Sequence, residues 1–161
     1  MKKLHIGIIA AVIVVALIAI VALMGSGGQS AVDNKTFVFE EGCTLDLPVT
    51  ATILNETSKD NGVNLKSYYI TTNDDYYILE ILSGNIVTSM DEFKFNSVAS
   101  GATYEGTYGD WEVLNIENVK LPNGQEHVKY VLAKMDDTHI YQIEGDNLDN
   151  VKAVADTFKT E

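Results

Sequence analysis

Residues Ile6 to Met24 form nineteen consecutive positions that are all apolar or Gly. A run of that length spans the roughly 30 Å hydrocarbon core of a bilayer as a helix. A domain this small has little room to surround a wholly apolar helix, so burial inside a core is the weaker reading. The run therefore predicts a transmembrane helix. A cleaved signal peptide shares its basic start and apolar stretch. Retention as a signal-anchor is the expectation, because the run exceeds the usual h-region of about 7–15 residues. The exit Gly25-Ser26-Gly27-Gly28-Gln29-Ser30-Ala31 also reads as a linker, with cleavage near Ser30-Ala31 as the alternative.

Lys2 and Lys3 precede the run and the first charge after it is Asp33. Positive flanks stay in the cytoplasm, which sends the rest of the chain outside. The expected organisation is a cytoplasmic tail over 1–5, a transmembrane helix over 6–24, a flexible linker over 25–33 and an extracytoplasmic domain over 34–161. The expected location is the cell membrane, single-pass, with the N-terminus cytoplasmic. The 161 residues carry a net charge of −12, with 11 Lys, no Arg and 23 acidic residues. That balance excludes general nucleic-acid binding, which needs a cationic footprint. One Cys, Cys43, excludes an intrachain disulfide framework. Its place in a strand-like run makes a small buried thiol the default reading, with an exposed thiol pairing between chains as the alternative.

Beyond the linker the chain is rich in Thr, Val, Ile and Tyr with turn residues at short intervals, which predicts strands. Thr36 to Glu40 and Cys43 to Leu47 form an opening pair, Thr50 to Leu54 a third short strand, and Asp60-Asn61-Gly62 a turn. Val63 to Thr71 and Tyr76 to Leu82 flank a four-residue loop, which sets Tyr68 opposite Leu79 and Ile70 opposite Tyr77. Alternation then gives one apolar face of Tyr68, Ile70, Tyr77, Leu79 and Ile81. Further strands are expected over Ala102 to Thr107 and from Trp111 toward Val119, before a reversal at Leu121-Pro122-Asn123-Gly124. Glu126 to Met135 and Thr138 to Glu144 flank Asp136-Asp137; a two-residue loop there sets Leu132 opposite Tyr141, Tyr130 opposite Ile143 and His139 opposite Lys134.

Two helices are expected. Ser89-Met90-Asp91-Glu92 has capping-box form, with Met90, Phe93 and Val98 along one side until Gly101. Asp146 caps a C-terminal helix in which Leu148, Val151, Ala155 and Phe158 recur at spacings of three and four. The predicted fold class is α+β, a mainly antiparallel sheet packed with a middle and a C-terminal helix and preceded by the transmembrane helix.

This outline, with its segment Gly42-Cys43-Thr44-Leu45-Asp46-Leu47-Pro48, Trp111 strand group and amphipathic final helix, resembles the PsbP-like α/β/α sandwich family over Thr36 to Lys159. The resemblance implies an accessory role outside the membrane without catalysis, and it carries over no ligand residue.

Chemistry-bearing motifs are sparse. Neither Gly25-Ser26-Gly27 nor Ser83-Gly84 builds a serine-hydrolase elbow, and no glycine cluster has phosphate-loop or dinucleotide spacing. Asp74, Asp75, Asp136, Asp137 and His139 are the acid/base candidates, read first as ordinary hairpin turns. No catalytic residue, metal site or cofactor is assigned. Tyr69, Tyr76, Tyr104 and Tyr108 are the candidate binding residues, since aromatic rings with polar tips give contact area at low entropy cost. Asn34-Lys35-Thr36 and Asn55-Glu56-Thr57 are sequons, making Asn34 and Asn55 candidates for glycosylation on the external side. The functional expectation is a membrane-anchored extracytoplasmic accessory or binding domain that is not an enzyme, with an envelope protein or glycan as partner. The alternative is a cell-envelope hydrolase acting on wall polymer or peptide through those acidic residues.

Overall fold

The structure, a computed structural model, describes residues 33–120 and 126–161. The expected tail, transmembrane helix and linker lie outside the described residues except for Asp33, as does the Leu121-Pro122-Asn123-Gly124 reversal.

A small sheet holds β1 (Asn34–Val38), β2 (Cys43–Pro48) and β10 (Lys159–Thr160) in the order β1-β2-β10. The large sheet holds seven antiparallel strands in the order β3-β4-β5-β9-β8-β7-β6. They are β3 (Thr52–Asp60), β4 (Val63–Thr71), β5 (Tyr76–Gly84), β6 (Thr103–Tyr108), β7 (Trp111–Lys120), β8 (Glu126–Met135) and β9 (His139–Gly145). Helix α1 (Met90–Ala99) joins β5 to β6, and α2 (Leu148–Ala155) follows β9.

The expected apolar face of Tyr68, Ile70, Tyr77, Leu79 and Ile81 is one wall of the main core. Cys43, Leu45 and Leu47 of β2 meet it from the small sheet, together with Val151 and Ala155 of α2. The opposite face packs Val63, Leu65, Leu82, Val131 and Ile140 around Phe93 of α1. The large sheet is thus covered on one face by a second sheet with a short helix, and on the other by a single helix.

This arrangement overturns the α+β expectation. The described residues are mostly antiparallel β-sheet, ten strands against helices of ten and eight residues. No helix among the described residues is long and apolar enough to cross a membrane. The reason lies in segments whose strand character no apolar pattern announces. β3 continues from Thr52 to Asp60 through Asn55-Glu56-Thr57-Ser58-Lys59, because an edge strand exposed on both faces needs no alternation. It turns into β4 through Asn61 at φ 49° and Gly62 at φ 83°, the double positive-φ geometry of a tight hairpin. The C-terminal helix stops at Ala155 rather than running to Phe158, since Lys159 and Thr160 pair with Thr44 and Cys43 and draw the chain out of the helix. Phe158 is buried all the same, its ring 5.2 Å from Trp111 and 5.1 Å from Tyr141.

The helix ends refine the capping expectations. Ser89 accepts from the Glu92 amide at 3.2 Å, while the Glu92 carboxylate accepts from the Thr88 amide rather than that of Ser89. Four residues after Phe93 the inward position is Ser97, which donates to the Phe93 carbonyl, so Val98 is exposed instead of buried. Asn147, not Asp146, caps α2 by accepting from the Asn150 amide.

The β4–β5 register is the expected one, Tyr68 opposite Leu79 and Ile70 opposite Tyr77. The β8–β9 register is shifted by two: Leu132 faces Ile143, and Tyr141 faces Lys134. Asp136 causes the shift. Its Oδ1 accepts from the amides of Thr138 and His139, both at 2.8 Å, and its own amide donates to the His139 carbonyl. The turn therefore forms one residue later than the loop count predicts, and His139 sits across from Asp136 instead of Lys134. A shift of two preserves which side chains face the core.

Candidate functional site

The acid/base candidates occupy opposite ends of the central strands. Asp75 closes the β4–β5 hairpin, its amide donating to Thr72 Oγ1 and its Oδ2 accepting from Asn150 of α2 at 2.7 Å. Burial raises its pKa, and the negative charge of Asp146 adds to the effect. Asp136 closes the β8–β9 hairpin. Burial pushes its carboxyl up, but hydrogen bonds from Thr138, Tyr141 and His139 outweigh it and hold the pKa below the usual range. Because β5 and β9 pair from Ile78–Glu144 to Ser83–His139, the two hairpin ends are on the order of 25 Å apart along the strands. Asp74 and Asp75 do not converge with Asp136, Asp137 and His139.

The four tyrosines fall into three places. Tyr69 and Tyr76 are diagonal neighbours on the face that also carries α1, half-buried, with Tyr69 donating to Glu56 at 3.3 Å. Burial and the nearby Asp146 push Tyr76 up to about 12. In β6 a bulge between Tyr104 and Gly106, with Gly106 at φ 112°, inserts one residue and reverses the alternation. Tyr104 consequently meets Lys94 of α1 and donates to Glu112 at 2.7 Å. Tyr108 turns to the other side, where it donates to Asp156 and lies under Lys152 of α2. They do not form one platform.

The bulged end of β6 borders an open groove of about 490 Å³ lined by Tyr108, Asp110, Trp111, Lys134, Asp156 and Phe158. Lys134 Nζ lies 4.6 Å from the Trp111 ring centroid and 4.7 Å from that of Phe158, and 3.3 Å from Asp110. The position where an aromatic pair would hold a foreign cation is filled by the chain's own ammonium. A second groove of about 510 Å³ has an apolar floor of Ile86, Val87, Met90 and Met135 beside the Asp136-Asp137 turn.

The strongest electrostatic feature is internal. Glu80 of β5 and Glu144 of β9 are 1% and 0% exposed, and Lys129 of β8, also buried, forms an ion pair with Glu144. The strand register places the three on one diagonal of the sheet face, beside Ser67 and Gln142. Burial raises the Glu80 pKa well above the usual range and the negative Glu144 raises it further, while Lys129 works the other way. The surroundings of Glu80 thus favour its protonated form, beside the Glu144–Lys129 ion pair. The group is enclosed within the sheet, and Glu80 Oε1 and Glu144 Oε1 are buried without a hydrogen-bond partner among the described residues. It was detectable: Tyr76 to Leu82 is apolar on both faces except at Glu80, and a lone acid in a strand buried on both sides must be neutralised.

Cys43 is 0% exposed, and burial together with the charge of Glu41 pushes its thiol up to about 12, so it is neither a nucleophile nor accessible for pairing between chains. Among the described residues no three His, Cys, Asp or Glu side chains group so as to hold a metal. Asn34 opens β1 and Asn55 lies within β3, both exposed. Comparison with family models, with curated proteins and with solved structures found no match in any of the three.

Proposed function

We propose that this chain is a non-catalytic accessory or binding domain, held by its N-terminal apolar run on the outer side of a membrane, with an envelope protein as its partner. One observation carries the reading. The candidate acid/base residues fall into two groups at opposite hairpin ends, with Asp75 and Asp136 engaged by their own turns, while the carboxyls that converge within the sheet, Glu80 and Glu144, are buried beside Lys129. Cleavage of a wall-polymer glycosidic bond uses two carboxyls flanking that bond, and the two hairpin ends are too far apart to supply such a pair between them. The order of elements that resembles the PsbP-like family adds support for an accessory role.

The test is to incubate full-length protein with purified wall polymer and with extracytoplasmic peptides, following substrate masses. Unchanged masses are expected. Product formation that disappears in Asp75→Asn or Asp136→Asn would establish the hydrolase instead. Protease added to intact cells is expected to digest the domain, and protection until lysis would overturn the external location.

A further inference from the structure

The two edges of the large sheet differ in a way that matters for binding. β6 is six residues long and broken by its bulge, so its outer rim offers no continuous ladder. β3 is nine residues long, pairs with β4 without a register shift from Thr52–Thr71 to Asp60–Val63, and contains no Pro, Gly or bulge. Its outer side faces no other strand among the described residues, and every residue from Leu54 to Asp60 is exposed. A continuous, unpaired edge of this length is a template for another strand.

We propose that β3 is a docking edge for an extended, basic segment of a partner protein, which adds antiparallel as an eighth strand. The proposal rests on the reading of the domain as a binding module and assigns its surface and partner chemistry. Leu54, 60% exposed, and Glu56 follow each other on one face of β3. They call for an apolar residue opposite Leu54 and, two positions earlier in the incoming strand, a Lys or Arg opposite Glu56; a second basic residue would meet Asp60. A second copy of this chain does not fit. A two-fold axis that continues the sheet sets residues of equal parity opposite each other, so Glu56 would meet an even-numbered residue of the copy. The even positions of β3 are Thr52, Leu54, Glu56, Ser58 and Asp60, and none is basic. Self-pairing would also bring together two chains of net charge −12, whereas a basic strand is attracted by the same field.

The register dictates the probe, a nine-residue peptide Lys-Thr-Thr-Val-Lys-Thr-Leu-Val-Thr. It is titrated against the full-length chain in detergent micelles, with amide hydrogen exchange as readout and the peptide mass checked afterwards. Saturable binding is expected, with protection of alternate amides along Thr52 to Asp60, those pointing to the open edge. Glu56→Lys is expected to weaken binding roughly tenfold and to restore it for a peptide whose central Lys, the one opposite position 56, is replaced by Glu. No binding, or binding without the alternating protection, overturns the edge proposal. Concentration-dependent dimerisation that protects the same amides overturns it in favour of self-pairing. A cleaved peptide refutes the non-catalytic reading, whereas an intact unbound one refutes the docking edge alone.

Discussion

Replacing Glu80 by Gln tests the internal charge arrangement directly. The amide keeps the shape of the carboxyl and still donates toward Glu144, but it takes up no proton. In the wild type, burial and the neighbouring Glu144 raise the Glu80 pKa in the folded state, so folding binds a proton wherever the unfolded carboxyl is ionised. The linkage has a definite sign: stability from this group is complete below the unfolded value of about 4.3 and is lost as pH rises toward the folded value. One proton corresponds to about 1.4 kcal/mol per pH unit within that window. For a domain of this size, that is roughly 5 °C in Tm per pH unit. Thermal melts of both proteins at pH 4, 5, 6 and 7 measure it. The two should melt most alike near pH 4, and as pH rises from there toward the folded value the variant should gain on the wild type by up to about 1.4 kcal/mol per pH unit. Parallel curves across the range would mean that Glu80 is ionised in the fold, and the assignment of the shared charge would be wrong.

Lys129→Met should cost about 3–5 kcal/mol in a chemical-denaturation curve, because it leaves Glu144 buried without its counter-charge. Phe158→Asp should cost several kcal/mol by the same measure, placing a charge between Trp111 and Tyr141. Asp136→Ala should lower stability by about 1–2 kcal/mol through loss of the turn hydrogen bonds, and solvent exchange at the Thr138 and His139 amides should rise. Cys43 should resist maleimide in the folded protein and react stoichiometrically in denaturant; fast labelling under native conditions would contradict its burial.

Where sequence reasoning succeeded, local chemistry and tertiary structure asked for the same thing. The loop between Thr71 and Tyr76 has one length and both flanking strands alternate, so Tyr68 and Ile70 had one consistent set of partners. Residue alternation also placed Tyr68, Ile70, Tyr77, Leu79 and Ile81 on one face, and all five wall the core. Failures came from information that a hydrophobic pattern does not carry. The Asp136 side chain moved a turn by one position, the β6 bulge sent Tyr104 and Tyr108 to opposite faces, and β3 had no buried face to announce it. Lys159 and Thr160 are strand because of a partner more than a hundred residues away, which no local window registers. Glu80 was visible as an acid in an apolar run, but its meaning depended on knowing that both faces of β5 are covered.

The strand order β3-β4-β5-β9-β8-β7-β6 is two meanders joined at a single seam. Each meander forms from hairpins whose ends are close in sequence, but the seam between β5 and β9 closes a loop of more than fifty residues, and β10 reaches β2 across twice that distance. Loop-closure entropy and high contact order slow such steps. The seam carries Glu80 on one side and Glu144 on the other, so until it closes Glu80 is hydrated and free of the burial that raises its pKa. Proton uptake by Glu80 should thus accompany seam closure, making the refolding rate sensitive to pH while the hairpins within each half form at a rate independent of it.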